Sequence, residues 1–271
     1  MNKCSIRLFA YGGQGMKMAL QKIVAPVLGE IGYFTQAFPF FGGERRGAVV
    51  SGYLRFSTDK ITTHSFITEP DISISFDERI PFDAVTAGLP AGKFLLLNTA
   101  LPARYAQAAM DRKVYTLNAK DISVSHGIAK PEDPFPLINS AMAGAFFKLF
   151  EYITGRTVPD ELTRRIFEGA LPVKTDENFL AFSDAKRLVQ PLAASETPGE
   201  YPVSLFRVTQ PNGLCTKCRL CYIFCSKRAI SLTDSEVHII NEAKCNLCGV
   251  CIKLCPRNAI SFETSEREDT R

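Results

Sequence analysis

Apolar and polar positions over residues 1–190 switch repeatedly between two periods. Ser5–Ala10 is a short strand-like run that breaks at Gly12-Gly13-Gln14-Gly15. From Met16 to about Glu30 the apolar residues recur at helical spacing, and Pro26 is expected to end or kink that helix. Ala48–Ser57, Ile61–Phe66, Ile72–Phe76, Phe94–Asn98 and Val114–Asn118 read as further strands. Pro102–Asp111, Leu137–Tyr152 and Pro159–Glu168 read as helices. Strands alternating with helices predict an α/β domain with a mixed, largely parallel sheet and flanking helices. The back-to-back runs within residues 48–66 predict an antiparallel hairpin in that sheet.

The pattern changes after this domain. Residues 191–206 contain Pro191, Pro198, Gly199 and Pro202 and read as a linker. Residues 207–262 form a cysteine-rich module, and 263–271 a polar tail. Of the 271 residues, 46% are apolar, enough for a core. No run approaches the ~18 uninterrupted apolar residues of a membrane helix, and MNKCSIRLFA lacks the features of a signal peptide. A soluble, cytoplasmic protein without a membrane partner is expected. The net charge of +4 comes without a basic stripe, which argues against nucleic acid.

Eight of the nine cysteines lie between Cys215 and Cys255. Cys215, Cys218, Cys221 and Cys225 recur, at an offset of 30, as Cys245, Cys248, Cys251 and Cys255. The copies extend further, since Ala229-Ile230-Ser231 reappears as Ala259-Ile260-Ser261. Each copy is C-x2-C-x2-C-x3-C, the bacterial ferredoxin spacing, in which the fourth cysteine ligates the other cluster. Two 4Fe–4S clusters are therefore expected. One takes Cys215, Cys218, Cys221 and Cys255, and the other Cys245, Cys248, Cys251 and Cys225. Structural zinc usually pairs two short hooks across a spacer, which the doubled repeat does not resemble. A small α+β two-cluster ferredoxin-like domain follows. Cys255 precedes Pro256, whereas Cys225 precedes Ser226. From Arg207 onward ten Lys and Arg face seven Asp and Glu, a net of +3, so the holo module is near neutral. A free electron carrier more often has a strongly acidic surface, and this module reads as a built-in relay.

Two segments of the first domain carry candidate binding chemistry. Gly13, Gln14 and Gly15 lie between a strand and a helix, where a turn can cradle an anion or simply make a tight junction. The segment is not a dinucleotide fingerprint, because Met18 stands where the third small residue belongs. Arg45 and Arg46 sit in the glycine-flanked run Phe38-Pro39-Phe40-Phe41-Gly42-Gly43-Glu44-Arg45-Arg46-Gly47-Ala48. Paired guanidinium groups can grip phosphate or carboxylate, or anchor a salt-bridged loop.

The glycine turn, Tyr33-Phe34-Thr35-Gln36-Ala37-Phe38-Pro39 and the run from Gly42 to Ser57 together resemble the gamma subunit of 2-oxoacid:ferredoxin oxidoreductases of the pyruvate and 2-oxoisovalerate branch. The resemblance continues through Glu69-Pro70-Asp71 and Ala141–Phe147, and the cysteine module resembles the delta subunit of the same enzymes. It implies an electron-transfer and assembly subunit working with alpha and beta partner chains. Those chains would hold thiamine diphosphate and magnesium, oxidatively decarboxylate a 2-oxoacid to acyl-CoA and CO2, and pass electrons to external ferredoxin. The chain has no GDG with a distal NN, the usual thiamine–magnesium signature, so it is not expected to be catalytic alone. The resemblance makes Arg45 and Arg46 candidates for a CoA phosphate. The alternatives are oxalate or an aromatic 2-oxoacid on the same scaffold, or a non-enzymatic iron–sulfur relay for another oxidoreductase.

Cys4 reads as a buried thiol. His64, His126 and His238 have no metal spacing and read as structural. Phe146, Phe147 and Phe150 share a helical spacing and read as core or subunit interface. Tyr222, beside Cys221, reads as a shield over a cluster.

Overall fold

The computed structural model describes residues 3–40, 49–194, 207–209, 214–225, 228–232, 237–239, 251, 255–257 and 259–263. The chain divides into two compact units, Met1–Gly199 and Glu200–Arg271.

The first unit is organised by strands β1 (Lys3–Tyr11), β4 (Ile72–Ser75), β5 (Phe94–Asn98) and β6 (Lys113–Leu117), which run parallel. Strands β2 (Phe34–Phe40), β3 (Val49–Ser57) and β7 (Gln190–Pro191) are antiparallel to their neighbours. The sheet order is β2-β3-β1-β4-β5-β6-β7, a mixed and largely parallel arrangement. The hairpin expected within residues 48–66 forms differently. Both edges of β3 are already taken, by β1 and β2, so Ile61–Phe66 cannot form the hairpin with it and is not a strand. Side chains hold it instead. The Ser65 carbonyl accepts from Arg55 Nη2 at 2.6 Å, and the Phe66 ring packs on Phe40 and Tyr53.

Alternation along the strands separates two faces. Cys4, Ile6, Leu8, Val50, Leu54 and Phe56 face the main core. That core is closed by a helical run after β1 and by α5 (Asn139–Thr154), α6 (Asp160–Ala170) and α7 (Thr175–Leu188). The run after β1 comprises α1 (Met16–Met18), a π-helical stretch (Ala19–Val24) and α2 (Ala25–Glu30). It continues past Pro26 because the turn before it is widened, with Ala25 N–H donating to the Leu20 carbonyl. Gly52 on β3 makes room for the helical run, since a Cβ there would meet the ends of the Leu20 and Met16 side chains, Leu20 Cδ1 at 2.6 Å, and they would have to shift. Helix α5 is buried almost all round, with Lys148 and Tyr152 exposed, because it lies in the core and packs on α7. Phe146, Phe147 and Phe150 are core residues, and Cys4 is fully buried.

The other face is covered only in part. Helix α3 (Phe82–Thr86) packs on β4, where Ser73 Oγ donates to the Val85 carbonyl at 2.5 Å, and a 3-10 helix (Pro102–Met110) packs on β6. Helix α4 (Ala119–Ser125) is capped by Asn118, whose side chain accepts from Asp121 N–H. No helix of the described residues is long and apolar enough to cross a membrane.

In the second unit, β8 (Arg207–Thr209) pairs antiparallel with β11 (Ser261–Glu263), and β9 (Ile230–Leu232) with β10 (Val237–Ile239). Helix α8 (Leu220–Ile223) carries Cys221.

Candidate functional site

The parallel strands end at one edge of the sheet, and there the first unit collects its polar groups. The helix after β1 packs on the main core face and α3, after β4, on the opposite face. Crossovers that diverge in this way leave a crevice at the strand ends, where α/β sheets take ligands. Here the crevice is braced from inside. Gln14 is fully buried. Its Oε1 accepts from Tyr11 N–H at 2.8 Å, and its Nε2 donates to Asp77 Oδ2 at 2.9 Å. Arg79 donates to both oxygens of Asp77, from Nε at 2.7 Å and Nη2 at 2.6 Å, and its guanidinium stacks over Tyr11 and Phe135. Burial alone would push the Arg79 guanidinium down, but hydrogen bonding and the charge of Asp77 outweigh it and hold the group above its ordinary value. Asn98 ties the next strand in, donating to the Phe76 carbonyl and accepting from Ala119 N–H, each at 2.8 Å.

Gln14 thus turns inward as a brace, and the outer rim of the turn is backbone. Gly13 (φ 111°) is exposed and Gly15 (φ 83°) half-buried, both in backbone conformations that favour glycine. A Cβ on Gly15 would meet Leu137 Cδ1 at 2.7 Å and Asn139 Cβ at 2.8 Å. Asn139 opens α5, and it is 1% exposed with neither amide atom hydrogen-bonded. An orphaned amide between a glycine turn and the N-terminus of a 16-residue helix is a cradle with unused donors and an unused acceptor. Arg45 and Arg46 lie outside the described residues. Phe40 and Val49, which flank their segment, stand at this same edge of the sheet, because Val49 is the ladder partner of Tyr11. Asp77, Arg79, Asn98 and Asn139 escaped sequence reasoning. The available signal was the polar run Asp77-Glu78-Arg79 immediately after the apolar strand β4.

In the second unit the repeat is visible in hydrogen bonding. Ala229 N–H donates to Cys225 Sγ at 3.3 Å, and Ala259 N–H donates to Cys255 Sγ at 3.0 Å, at equivalent places of the two copies. Lys217 N–H reaches Cys215 Sγ at 3.4 Å, and Lys217 and Arg219 adopt positive φ, which winds the cysteine loop tightly. Cys221 is buried, and burial, with the neighbouring Cys215 and Cys218, pushes its thiol up when no metal is bound. Cys251 is helical, whereas Cys245 and Cys248 lie outside the described residues. Among the described residues no three of His, Cys, Asp and Glu stand close enough to hold a metal ion. The chemistry of the donor set nevertheless fits a 4Fe–4S cluster, with soft sulfur ligands and backbone donors already aimed at sulfur. Tyr222 is half exposed. His126 pairs with Asp184 at 2.8 Å, and His64 contacts Gln36, both in structural roles, while the His238 side chain is outside the description.

A mixed α/β domain joined to a cysteine module of this spacing defines an iron–sulfur oxidoreductase component. The family profile described as "Pyruvate ferredoxin/flavodoxin oxidoreductase" matches residues 5–188, and the "4Fe-4S binding domain" profile matches residues 238–261. The chain belongs to the pyruvate ferredoxin/flavodoxin oxidoreductase family. It is 33% identical over 171 residues to the pyruvate/ketoisovalerate oxidoreductases common subunit gamma of Thermococcus kodakarensis, covering 62% of this chain and 89% of that one. It is 35% identical over 164 residues to pyruvate synthase subunit PorC of Methanothermobacter marburgensis, covering 60% and 84%. Among solved structures it is similar to pyruvate oxidoreductase subunit PORC of Thermotoga maritima, with a TM-score of 0.57, 26% identity, and coverage of 70% of this chain and 99% of that chain.

Proposed function

We propose that this chain is the electron-transfer and assembly subunit of a thiamine-diphosphate-dependent 2-oxoacid:ferredoxin oxidoreductase, a gamma-type domain (1–190) fused through a linker (191–206) to a delta-type module (207–262). The complex oxidatively decarboxylates a 2-oxoacid such as pyruvate or 2-oxoisovalerate to acyl-CoA and CO2, on thiamine diphosphate and magnesium held by alpha and beta partner chains. The observation that carries this reading is the joining, in one polypeptide, of the family domain to a doubled cysteine repeat with matching amide-to-sulfur bonds. The names of the gamma relatives support the substrate. Two bound 4Fe–4S clusters supply one-electron storage. Around them, the backbone N–H groups of Ala229 and Ala259 stabilise negative charge on sulfur, and burial of Cys221 excludes water. External ferredoxin is the final acceptor. The test is anaerobic purification of the complex, then methyl viologen reduction with pyruvate, 2-oxoisovalerate, phenylglyoxylate and oxalate, with and without CoA. Reduction by pyruvate or 2-oxoisovalerate that requires CoA is expected. A lone chain without thiamine diphosphate partners would favour the relay instead.

The glycine turn and the Asn139 cradle, with Arg45 and Arg46, hold the phosphate-bearing end of CoA in this reading. Arg45→Ala with Arg46→Ala is expected to raise the CoA KM about tenfold or more while leaving the iron content unchanged, consistent with losing charge-assisted bonds. Asn139→Leu separates ligand binding from stability. Removing an orphaned amide is expected to stabilise the chain by about 1 kcal/mol in a thermal melt and to raise the CoA KM. A lower melting temperature would mean that the amide is satisfied within the fold.

A further inference from the structure

The face of β2 and β3 opposite the main core is covered only in part, with rings on β2 left exposed while Arg55 and Ser57 are buried. On β2 it carries Phe34, Gln36, Phe38 and Phe40, and on β3 Tyr53 and Arg55, which the register sets opposite Phe38 and Gln36 respectively. Phe34 and Phe40 are 53% and 49% exposed, and Phe66, folded onto this face, is 53% exposed. The rings are ordered among themselves: Phe38 stacks on Tyr53 with centroids 5.1 Å apart, and Phe66 meets Phe40 and Tyr53 at 5.2 Å each. An aromatic cluster built outside the core and left half wet is a contact surface.

Two arginines stand beside it. Arg7 is opposite Tyr53, and Arg55 is opposite Ser5, so the two are diagonal neighbours on adjacent strands, within reach of one another's side chains. Arg55 is only 5% exposed and is held by neutral acceptors, Gln36 Oε1 at 2.7 Å and the Ser65 carbonyl. Arg7 Nη2 donates to the Ala87 carbonyl, while its Nε is buried with no partner. Among the described residues neither guanidinium forms an ion pair, Arg7 having only the Phe9 ring 5.2 Å away as a further partner, and burial pushes both down. Partly buried cations without an ionic partner are costly, and a counter-charge lowers that cost.

We propose that this face docks an apolar, acidic segment of a partner protein chain, its rings covered by apolar side chains and one carboxylate reaching the half-exposed Arg7 beside them. A free small anion would satisfy the charges but leave the aromatic cluster wet. The proposal rests on the reading of this chain as a subunit. The test uses the full chain expressed with the chains that copurify with it. Hydrogen exchange should show protection of residues 34–40 and 51–57 on assembly. Phe40→Asp with Phe66→Asp, both exposed positions, and Arg7→Glu should each weaken assembly by about thirtyfold or more. Replacing the partner carboxylate mapped by exchange with arginine should restore assembly of Arg7→Glu. Wild-type assembly with unchanged exchange over β2 and β3, or undisturbed assembly of the variants, would overturn the proposal and leave the subunit reading intact. A homodimer of this chain alone that the variants disrupt would overturn it in favour of a second copy. A chain that copurifies with nothing would overturn both.

Discussion

Cys255→Ser is expected to remove about half of the bound iron, from about eight to about four atoms per chain, and to abolish 2-oxoacid-dependent reduction of ferredoxin. Cys255 accepts a backbone bond from Ala259, within the second copy of the repeat, yet the spacing assigns it to the cluster of Cys215, Cys218 and Cys221. A serine hydroxyl does not ionise at neutral pH as a metal-bound thiol does, so the ligand is lost. The spectroscopic signal that disappears should be the one also lost in Cys218→Ser. Cys225→Ser should instead remove the signal lost in Cys248→Ser. Anaerobic iron and sulfide determination with electron paramagnetic resonance of the four variants checks this. Pairing of Cys255 with Cys248 would exclude crosswise ligation. Crosswise ligands would tie the module together, so its protease resistance is expected to fall in each variant, while the first unit, Met1–Gly199, keeps its own melting transition.

Gly144→Val is expected to destabilise the first unit by about 3 kcal/mol, lowering its melting temperature by about 6–12 °C. A Cβ at Gly144 would lie against the carbonyl oxygen of Phe182, in clear overlap. The obstacle is backbone on α7, which cannot rotate aside as a flexible side chain could. Helices α5 and α7 must part, and the ring contacts of Phe147 with Phe182 and of Phe167 with Phe182, at 5.9 and 5.4 Å, loosen with them. Gly169→Ala is the control. It lies on α6 with nothing within 4 Å of the added Cβ, and its gain in helix propensity should stabilise by about 0.5–1 kcal/mol. Calorimetry of the full chain reads both, and equal melting temperatures would mean that α5 and α7 separate freely.

Much of the first unit was legible from local pattern. The apolar run of β5 is nearly continuous because both faces of a central parallel strand are buried, while β1 and β4 alternate apolar residues toward the main core with polar ones such as Ser5, Arg7, Ser73 and Ser75, and both patterns announce strands. The helical stripe of α5 was legible too, but its depth was not, since the sequence reads as amphipathic while packing in the core next to α7 leaves Lys148 and Tyr152 as its exposed residues. β2 was read as a motif-bearing stretch rather than a strand. Pro39 and the neighbours Thr35, Gln36 and Ala37 weaken its pattern, and only pairing with β3 makes it extended. Ile61–Phe66 has the residue types of a strand, but its expected partner β3 is already paired on both sides.

The cysteine spacing marks the iron–sulfur chemistry, because C-x2-C-x2-C sets three soft ligands on one short loop, while bringing them and a fourth cysteine from the other copy together is left to folding around the cluster. The periods of two and of 3.6 likewise specify strands and helices, since they arise from backbone geometry alone. Tertiary structure decided what lies between distant segments. Gln14 became a brace because Asp77, 63 residues away, arrives at the same sheet edge. Asn139 became a cradle because α5 begins against Gly15. Arg7 and Arg55 became neighbours through one antiparallel register. These are contacts between residues whose separation along the chain has no period, and only the packing of the whole sheet brings them together.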